Sequence, residues 1–296
     1  MRCISPMSVK TGEVYNTVPC GNCGPCLSNK RNDWTFRLSE EQRQSKTSYF
    51  LTLTYGEKYV VRERFGNHKF EVLHKADLQA FIKRLREAQR RAISKIKSQP
   101  NCPVRYLNWP NLRYYAIGEY GPTGYRPHYH ILLFNLFPTL SNKLQKYWDK
   151  GFIDEQNMST GNIHYVTGYF VTAGSEDSQM RLREELQPRF TIMSTKPGIG
   201  YEYLDRAKQF HRDNLEFRVT FNNGIKKMMP RYYKDKIFND DEKEQFAEHC
   251  QDEAEKQFYE DYAKRESQGD NYFVAEDLRK KGTQRIITKS TKRSKL

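Results

Sequence analysis

The sequence contains no long apolar run. No stretch of about 18 consecutive apolar residues occurs in its 296 residues, and the opening segment MRCISPMSVKTG lacks the apolar stretch of a signal peptide. Internal repeats are absent as well. These absences argue against a membrane span and against secretion, so we expect a soluble cytoplasmic protein with no membrane partner.

The chain is instead rich in positive charge and aromatic rings. Its formal net charge is +14, and it has 20 Tyr and 17 Phe. The charge is uneven, because residues 240–266 hold 11 acidic and four basic residues while the rest of the chain holds 46 basic and 25 acidic ones. A basic surface indicates a polyanionic partner, and aromatic rings can both form a core and stack on bases.

Cysteines are few but clustered. Cys20, Cys23 and Cys26 fall within seven residues, CGNCGPC, a spacing too tight for mutual disulfides. Thiolates on a metal fit a reducing compartment better, with Cys3 as the candidate fourth ligand, and we predict structural zinc. Reduced thiols in a Gly/Pro loop and an iron–sulfur cluster stay open, because the usual second CxxC pair is absent.

Apolar periodicity outlines the order of helices and strands. We expect loops up to residue 33 and disorder in the basic tail after residue 278. The predicted strands are 48–55, 112–119, 127–136 and 215–221. The predicted helices are 34–44, 75–96, 141–149, 163–173, a helix ending near residue 211, and an acidic amphipathic helix over 240–266. Lys83 and Arg84 belong to a basic face of the second helix that is either solvated or in contact with phosphate.

Two histidines stand two residues apart at the start of the strand RPHYHILLF. Residues at this spacing point to the same face of a strand, so His128 and His130 can bind one ion. Glu119 ends the preceding strand of the same hairpin and is expected close to both. Two nitrogens and one carboxylate suit Mg²⁺ or Mn²⁺ with positions left open for substrate. A histidine that is merely hydrogen-bonded is the alternative interpretation.

Two tyrosines recur four residues apart in the segment GNIHYVTGYFVTAG. At this spacing Tyr165 and Tyr169 are neighbours on one face of a helix, where both phenols could reach one cavity. Ordinary packing of a Tyr pair is the alternative.

Taken in order, FLTLTY, RPHYHILLF and YVTGY resemble the three motifs of the HUH endonucleases that start rolling-circle replication. VPCGNCGPCLSNKRNDWTFRL, YYAIGEYG, MSTKPGIG and PRYYK resemble in particular the replication initiators of gokushovirus-like microviruses, over about residues 1 to 235. The resemblance implies that His128 and His130, with Glu119 as third ligand, hold a divalent ion at the scissile phosphate of single-stranded DNA. It also implies attack by Tyr165 or Tyr169, which leaves a 5′-phosphotyrosine and a free 3′-OH.

The sequence departs from the family pattern at one position. Many members carry a Lys within one turn after a catalytic tyrosine, whereas Gly168 and Thr172 occupy those offsets here. Arg126, His164 or Lys196 could take over the contact with phosphate.

The resemblance implies a fold, a set of partners and a location. We expect an α+β fold of the HUH type, with a central antiparallel sheet (ferredoxin/RRM-like), FLTLTY beside the His strand, and helices on one face carrying the tyrosines and basic residues. The predicted segments are a Cys-rich segment and helix (1–47), the endonuclease domain (48–235), and an acidic helix with a basic tail (236–296). The implied partners are single-stranded or supercoiled origin DNA and the host helicase, single-strand binding protein and polymerase, in the host bacterial cytoplasm.

Two other functions remain open from the sequence. A non-catalytic single-stranded nucleic-acid-binding protein explains the charge and the aromatic residues but not the grouped His, Glu and Tyr. An HUH relaxase or transposase would use the same chemistry for transfer or insertion.

Overall fold

The computed structural model describes residues 3–122, 124–169, 178–222 and 224–293. The chain divides into two compact units. The sheet unit comprises Arg37–Val166 and Ala173–Glu202, and the terminal unit comprises Met1–Phe36, Thr167–Thr172 and Tyr203–Leu296. Compact units group residues by contact, so the predicted segments 1–47, 48–235 and 236–296 stay a prediction about modules. Among the described residues, no helix is long and apolar enough to cross a membrane.

The strands and helices follow the chain in this order. The strands are β1 (Met7–Thr11), β2 (Val14–Val18), β3 (Ser48–Tyr55), β4 (Val61–Phe65), β5 (His68–Val72), β6 (Arg113–Tyr120), β7 (Pro127–Phe134), β8 (Gly151–Asn157), β9 (Phe190–Met193), β10 (Arg218–Thr220) and β11 (Lys226–Met228). The helices are α1 (Gly24–Gln44), α2 (Lys75–Lys97), α3 (Val104–Leu107), α4 (Thr160–Gly168), α5 (Ser178–Leu186), α6 (Tyr203–Asp213), α7 (Arg231–Ile237), α8 (Asp240–Ser267) and α9 (Tyr272–Arg293), with a 3₁₀ helix at Pro138–Lys146.

The sheet unit is built on a five-stranded antiparallel sheet in the order β8-β3-β7-β6-β9. The α+β class is therefore confirmed, and FLTLTY in β3 pairs directly with the His strand β7 as predicted. The strands β4 and β5 form a separate hairpin. The central position of β7 explains its almost uninterrupted apolar run, because a central strand is covered on both faces.

Helix α2 covers one face of this sheet. Leu51 and Leu53 of β3 and Ile131 of β7 pack in one buried core with Phe81 and Leu85 of the helix. Successive residues of a strand alternate between faces, so His128 and His130 of β7 lie on the face opposite α2.

Buried hydroxyl groups hold the same core together. The Tyr129 hydroxyl lies 2.7 Å from that of Tyr55 and donates to the His74 carbonyl oxygen at 3.0 Å, while Tyr55 donates to Asp77 at 2.9 Å. Asp77 lies in the first turn of α2. Each buried hydroxyl thus has a partner, which avoids a desolvation cost of about 1–3 kcal/mol per unsatisfied group.

The terminal unit has its own aromatic core around Phe36, Tyr203 and Tyr233. The Phe217 ring stacks on those of Phe238 and Phe246, with both centroid distances 3.9 Å. Asn239 accepts from the backbone N–H of Glu242, whose side chain accepts from the Asn239 backbone, and this capping box begins α8. The acidic helix predicted at 240–266 is therefore present and packs through Phe246.

Several predicted elements were wrong in extent or nature. Helix α1 begins at Gly24, ten residues before the predicted start, because Pro25 suits a first helical turn better than a loop. Helix α9 continues to Arg293, where we expected disorder. Pairs such as Glu276 with Arg279 and Asp277 with Lys281 support that helix without a core.

Helix α4 is shorter than the predicted 163–173 and ends at Gly168. Glycine loses more backbone entropy in a helix than other residues, which favours an end at this position. Residues 170–173 of the predicted helix lie outside the described residues. The hairpins β1–β2 and β4–β5, the edge strands β8 and β9, and helix α5 were not predicted.

The prediction that helices lie on one face of the sheet was also wrong. Basic helix α2 covers the face of Tyr129, whereas Tyr165 of α4 contacts His130 on the opposite face. The sequence gives each helix an apolar side but does not say to which face of the sheet it docks.

Candidate metal centre

Antiparallel pairing of β6 with β7 brings three polar side chains together in the sheet unit. Glu119 is directly opposite His128, and His130 is opposite both Ile117 of β6 and Thr52 of β3. Residues paired across an antiparallel sheet project to the same face, so the pairing of the two strands brings Glu119 back onto the His pair as predicted.

The three side chains converge on one point. The Glu119 Oε1 atom lies 2.7 Å from His128 Nε2 and 3.0 Å from His130 Nε2. Glu119 and His130 are buried, with 4% and 5% of their surfaces exposed, and His128 is half-buried. Within the described part of the chain, this group and a cysteine cluster are the two sets of side chains able to hold a metal ion.

Neighbouring groups aim both imidazoles at Glu119. The Nδ1 atom of His128 lies 3.1 Å from the Arg126 carbonyl oxygen, and that of His130 lies 3.1 Å from Thr52 Oγ1. A carbonyl oxygen only accepts, so His128 donates from Nδ1 and keeps the Nε2 lone pair for a ligand. The Phe50 ring stacks on His130 at 5.4 Å.

Thr52 and Phe50 were missed by sequence reasoning. Both belong to FLTLTY, and alternate residues of that strand share the face of the His pair once β3 is placed beside β7. The motif was therefore the signal, and the face assignment was the missing step.

Burial and hydrogen bonding act against each other on these groups. Burial works to raise the pKa of Glu119, but its hydrogen bonds to His128 and His130 win and hold it at about 2. Burial lowers the pKa of His130 despite its bond to Glu119, whereas for His128 the bond and charge of Glu119 outweigh burial and raise the pKa. An anionic Glu119 beside a neutral His130 is the protonation state that a cation requires.

The donor set fits a divalent ion. One carboxylate and two imidazoles leave positions open for substrate oxygens, and carboxylate favours Mg²⁺ or Mn²⁺ while imidazole favours Zn²⁺ and related metals. A divalent metal can therefore be held here, and its identity is not fixed by the donors.

Tyr165 stands next to this group. Its hydroxyl lies 3.3 Å from His130 Nε2, and its ring meets those of His130 and Phe50 edge to face at 5.1 and 6.2 Å. Its exposed fraction is 38%, so a substrate can reach the phenol. Tyr169, the other predicted nucleophile, follows the last residue of α4 and belongs to the terminal unit. Its catalytic role stays a prediction.

The predicted phosphate-contact residues fall in different places. Arg126 lies beside the metal group, where its guanidinium donates to the Tyr55 carbonyl oxygen at 2.9 Å and pairs with Glu57 at 3.4 Å. Arg84 forms two hydrogen bonds to Asp149, at 3.0 and 3.2 Å. Lys83 is exposed on α2.

Lys196 lies far from the tyrosine along the sheet. It follows Ser194, whose backbone N–H donates to the Tyr114 carbonyl oxygen at the start of β6, whereas Glu119 stands near the end of that strand. Of the three residues proposed to replace the absent lysine, Arg126 adjoins the metal group, while exposed His164 neighbours Tyr165 in α4.

The four predicted cysteine ligands converge in the terminal unit. The sulfur atoms of Cys3, Cys20, Cys23 and Cys26 all lie within 4.8 Å of one another. Backbone N–H groups of Cys20 and Cys23 donate to Cys3 Sγ and Cys20 Sγ, each at 3.3 Å. Backbone donors at Asn22 and Cys23 lower the pKa of the Cys20 thiol to about 6, whereas burial raises that of Cys26 to about 12.

The chain is similar to replication-associated proteins of phages. It is 26% identical to replication-associated protein VP4 of Bdellovibrio phage phiMH2K over 79% of this chain and 76% of that protein. It is 25% identical to replication-associated protein ORF2 of Spiroplasma virus 4 over 82% of this chain and 74% of that protein. For replication-associated protein ORF4 of Chlamydia phage 1 the values are 25%, 74% and 53%.

A solved structure and a family model complete the comparison. The N-terminal nuclease domain of Minute virus of mice non-structural protein-1 has a TM-score of 0.16 and 9% identity over 56% of this chain and 71% of that one, a similarity that supports no argument here. The model of the replication-associated protein ORF2 family matches residues 48–173, which include β3, the metal group and Tyr165. These matches confirm the resemblance to phage replication proteins that the motifs predict, and residues 48–173 are the part that matches the replication-associated protein ORF2 family.

Proposed function

We propose that this chain initiates rolling-circle replication of a single-stranded DNA phage by cutting one strand at the origin and attaching itself to the 5′ end. The observation that carries the proposal is the Tyr165 hydroxyl 3.3 Å from His130 in a buried Glu–His–His group. The phage replication-associated relatives supply the substrate class, and the net charge of +14 suits DNA.

The reaction is a transesterification. The phenol oxygen of Tyr165 forms a bond to phosphorus, and the bond between phosphorus and the 3′ oxygen breaks. The phenol loses one proton and the departing 3′ oxygen gains one, so a phosphodiester becomes a phosphotyrosine ester and a free 3′-OH. A divalent ion held by Glu119, His128 and His130 would neutralise charge on the phosphate oxygens.

The phenol proton needs an acceptor other than His130 when an ion is bound. The Nε2 lone pair of His130 can serve the ion or a proton but not both. Because Tyr165 is 38% exposed, its proton can pass to solvent. Arg126 is placed to orient the phosphate, since its own hydrogen bonds leave it beside His128.

The covalent link preserves the energy of the ester, so a 3′-OH can reverse the reaction and join a strand without ATP. A second phenol would cut the regenerated origin while the first is still attached, and Tyr169 is our candidate for this second step. Host helicase, single-strand binding protein and polymerase in the bacterial cytoplasm would extend and unwind the strand.

Covalent adduct formation tests the proposal. The chain with Mn²⁺ or Mg²⁺ and single-stranded origin DNA should give a denaturation-resistant adduct on a gel. Tyr165→Phe should abolish the first adduct, because it removes only the attacking oxygen. Tyr59→Phe is the control, since Tyr59 lies in the same unit with a similar exposed fraction of 40%.

Other outcomes separate the alternatives. An adduct that persists in Tyr165→Phe but is lost when Tyr169→Phe is added would make Tyr169 the first nucleophile. If binding occurs and no strand is cut with either metal, the chain is a non-catalytic single-strand binding protein. A relaxase or transposase would cut DNA from a mobile element in preference to the phage origin.

We also propose that the cysteine cluster holds structural zinc. The Sγ atoms of Cys3 and Cys23 are 3.7 Å apart, close to the edge of about 3.8 Å of a tetrahedron with Zn–S bonds of about 2.3 Å. Cys3 and Cys20 flank hairpin β1–β2, whose described side chains are mostly exposed. An isolated hairpin is marginally stable, so a metal at its base would stabilise it.

Metal analysis tests this second site. The purified chain should contain about one zinc per molecule, and Cys23→Ser should lose it and expose the hairpin to protease. Cys102→Ser is the control, since Cys102 is outside the cluster. A zinc-free chain whose hairpin resists protease equally in both variants would refute the site.

A further inference from the structure

A second concave site lies in the sheet unit at the other end of β6. It is a cavity of about 940 Å³ between the C-terminal half of α2, residues 109–114 and residues 193–197. Arg113 lines the cavity and Glu119 belongs to the metal group, and the six strand steps between them span about 20 Å. The cavity is therefore separate from the metal centre and is not used by the proposed chemistry.

Positive charge predominates in this cavity. Its lining includes five basic side chains and two carboxylates: Arg86, Arg90, Lys97, Arg113 and Lys196, with Glu41 and Glu202. Arg113 pairs with Glu41 and also donates to the carbonyl oxygens of Pro197 and Gly198, so these two charges cancel within the wall. Among the described residues, Lys97 and Lys196 have no ion-pair partner. An anion is thus the ligand that the cavity favours.

Flat rings stand beside these cations. The Trp109 indole is fixed by donating to the Asn135 carbonyl oxygen at 3.0 Å, and the Tyr201 ring is 37% exposed. The Arg86 guanidinium lies 5.1 Å over the Tyr114 ring and donates to Ser194 Oγ at 3.2 Å. These contacts hold an arginine and two rings in place before a ligand binds.

We propose that this cavity anchors one or two nucleotides of the single-stranded DNA at a distance from the cleaved bond. Rings that stack on any base and cations that bind phosphate are the combination by which proteins hold single strands without reading sequence. Lys196 and Arg86 would take the phosphate, and Trp109 or Tyr201 would take the base. The proposal rests on the proposed function for its substrate but on different residues for its site.

The separation of the two sites gives the anchor a measurable consequence. At 3.4 Å per stacked nucleotide, about 20 Å corresponds to roughly six nucleotides. A strand shorter than this reaches one site, and a longer one reaches both. Affinity should therefore rise in a step as strand length passes roughly six nucleotides.

Oligothymidylates of increasing length test the anchor by fluorescence anisotropy without added divalent metal, which avoids cleavage. The wild-type chain should show a step of tenfold or more in affinity, and Lys196→Ala with Tyr201→Ala should remove most of it. Both residues are exposed, so folding should be retained. The control pair is Lys143→Ala with Tyr59→Ala, a matched loss of charge and ring outside the cavity.

Each outcome decides the proposal. A step that survives in the cavity variant, or that falls equally in the control pair, overturns it. Competition by a free nucleoside triphosphate without any dependence on strand length would make the cavity a mononucleotide site and also overturn it. Adduct formation by the wild-type chain is measured separately. A step without an adduct would refute cutting and keep the anchor, and an adduct without a step would do the reverse.

Discussion

Residues around the metal group act through the direction of their hydrogen bonds. The Arg126 carbonyl oxygen can only accept, so it makes His128 present Nε2 to Glu119. Thr52 has the corresponding position at His130, where its hydroxyl meets Nδ1 at 3.1 Å. The ligands are therefore oriented by groups that do not themselves reach an ion, a common arrangement in metal sites.

Thr52→Val should weaken metal binding by roughly tenfold, because it removes the hydroxyl that orients His130 while keeping the shape of the side chain. Thr54→Val is the control on the same strand and face, since Thr54 Oγ1 makes only a 3.5 Å contact to the Phe152 carbonyl oxygen. Isothermal titration with Mn²⁺ measures both variants. Equal affinities for the two would show that the Thr52 hydroxyl does not position the ligand.

At the scale of elements, the edge of the sheet depends on one close approach. Strand β8 pairs with β3 along its whole length, and Gly151 begins it opposite Tyr55. A Cβ atom on Gly151 would lie 1.9 Å from the Thr54 carbonyl oxygen and 2.6 Å from the Gly56 nitrogen. Both are backbone atoms, so no side-chain rotation can relieve the contact.

Gly151→Ala should lower the free energy of unfolding by roughly 1–3 kcal/mol or more, because the start of β8 must move away from β3. Gly282→Ala is the comparison, since nothing lies within 4 Å of a Cβ there and alanine favours the helix. Urea denaturation followed by circular dichroism measures both. A loss in Gly282→Ala as large as in Gly151→Ala would contradict this account.

Elements with strong local patterns were predictable from the sequence, and those without were not. Strand β3 was predicted at its observed bounds and α2 to within one residue, because each has a long apolar pattern. Strand β8 reads GFIDEQN and is mostly exposed, so only pairing with β3 makes it a strand. Glu119 could be placed near the His pair from hairpin logic, whereas Phe50 and Thr52 required the strand order.

At the scale of the whole molecule, charge should dominate the encounter with DNA. The chain carries +14, and its acidic residues are concentrated in α8. Basic groups are thereby left in excess elsewhere, including the cavity lined by Arg86 and Lys196. Release of counterions from phosphates then supplies much of the affinity.

DNA binding should weaken steeply with salt. A plot of log K against log salt should have a slope of about −2 or steeper, since each neutralised phosphate on a single strand contributes about −0.7. Anisotropy titrations with a long oligothymidylate over a salt series measure this slope. A flat plot would mean that phosphate contacts contribute little and that stacking alone holds the strand.

Strand β7 carries the imidazoles on one side and the fully buried phenol of Tyr129 on the other. Tyr129 is bonded to Tyr55 and to the backbone of His74, so the strand is fixed to its neighbours by the side away from the ion. An insertion of one residue within β7 would exchange the two sides, placing imidazoles in the apolar core and a phenol in the site. Mutation can therefore change the loops of this protein in length, but it can change this strand only by substitution.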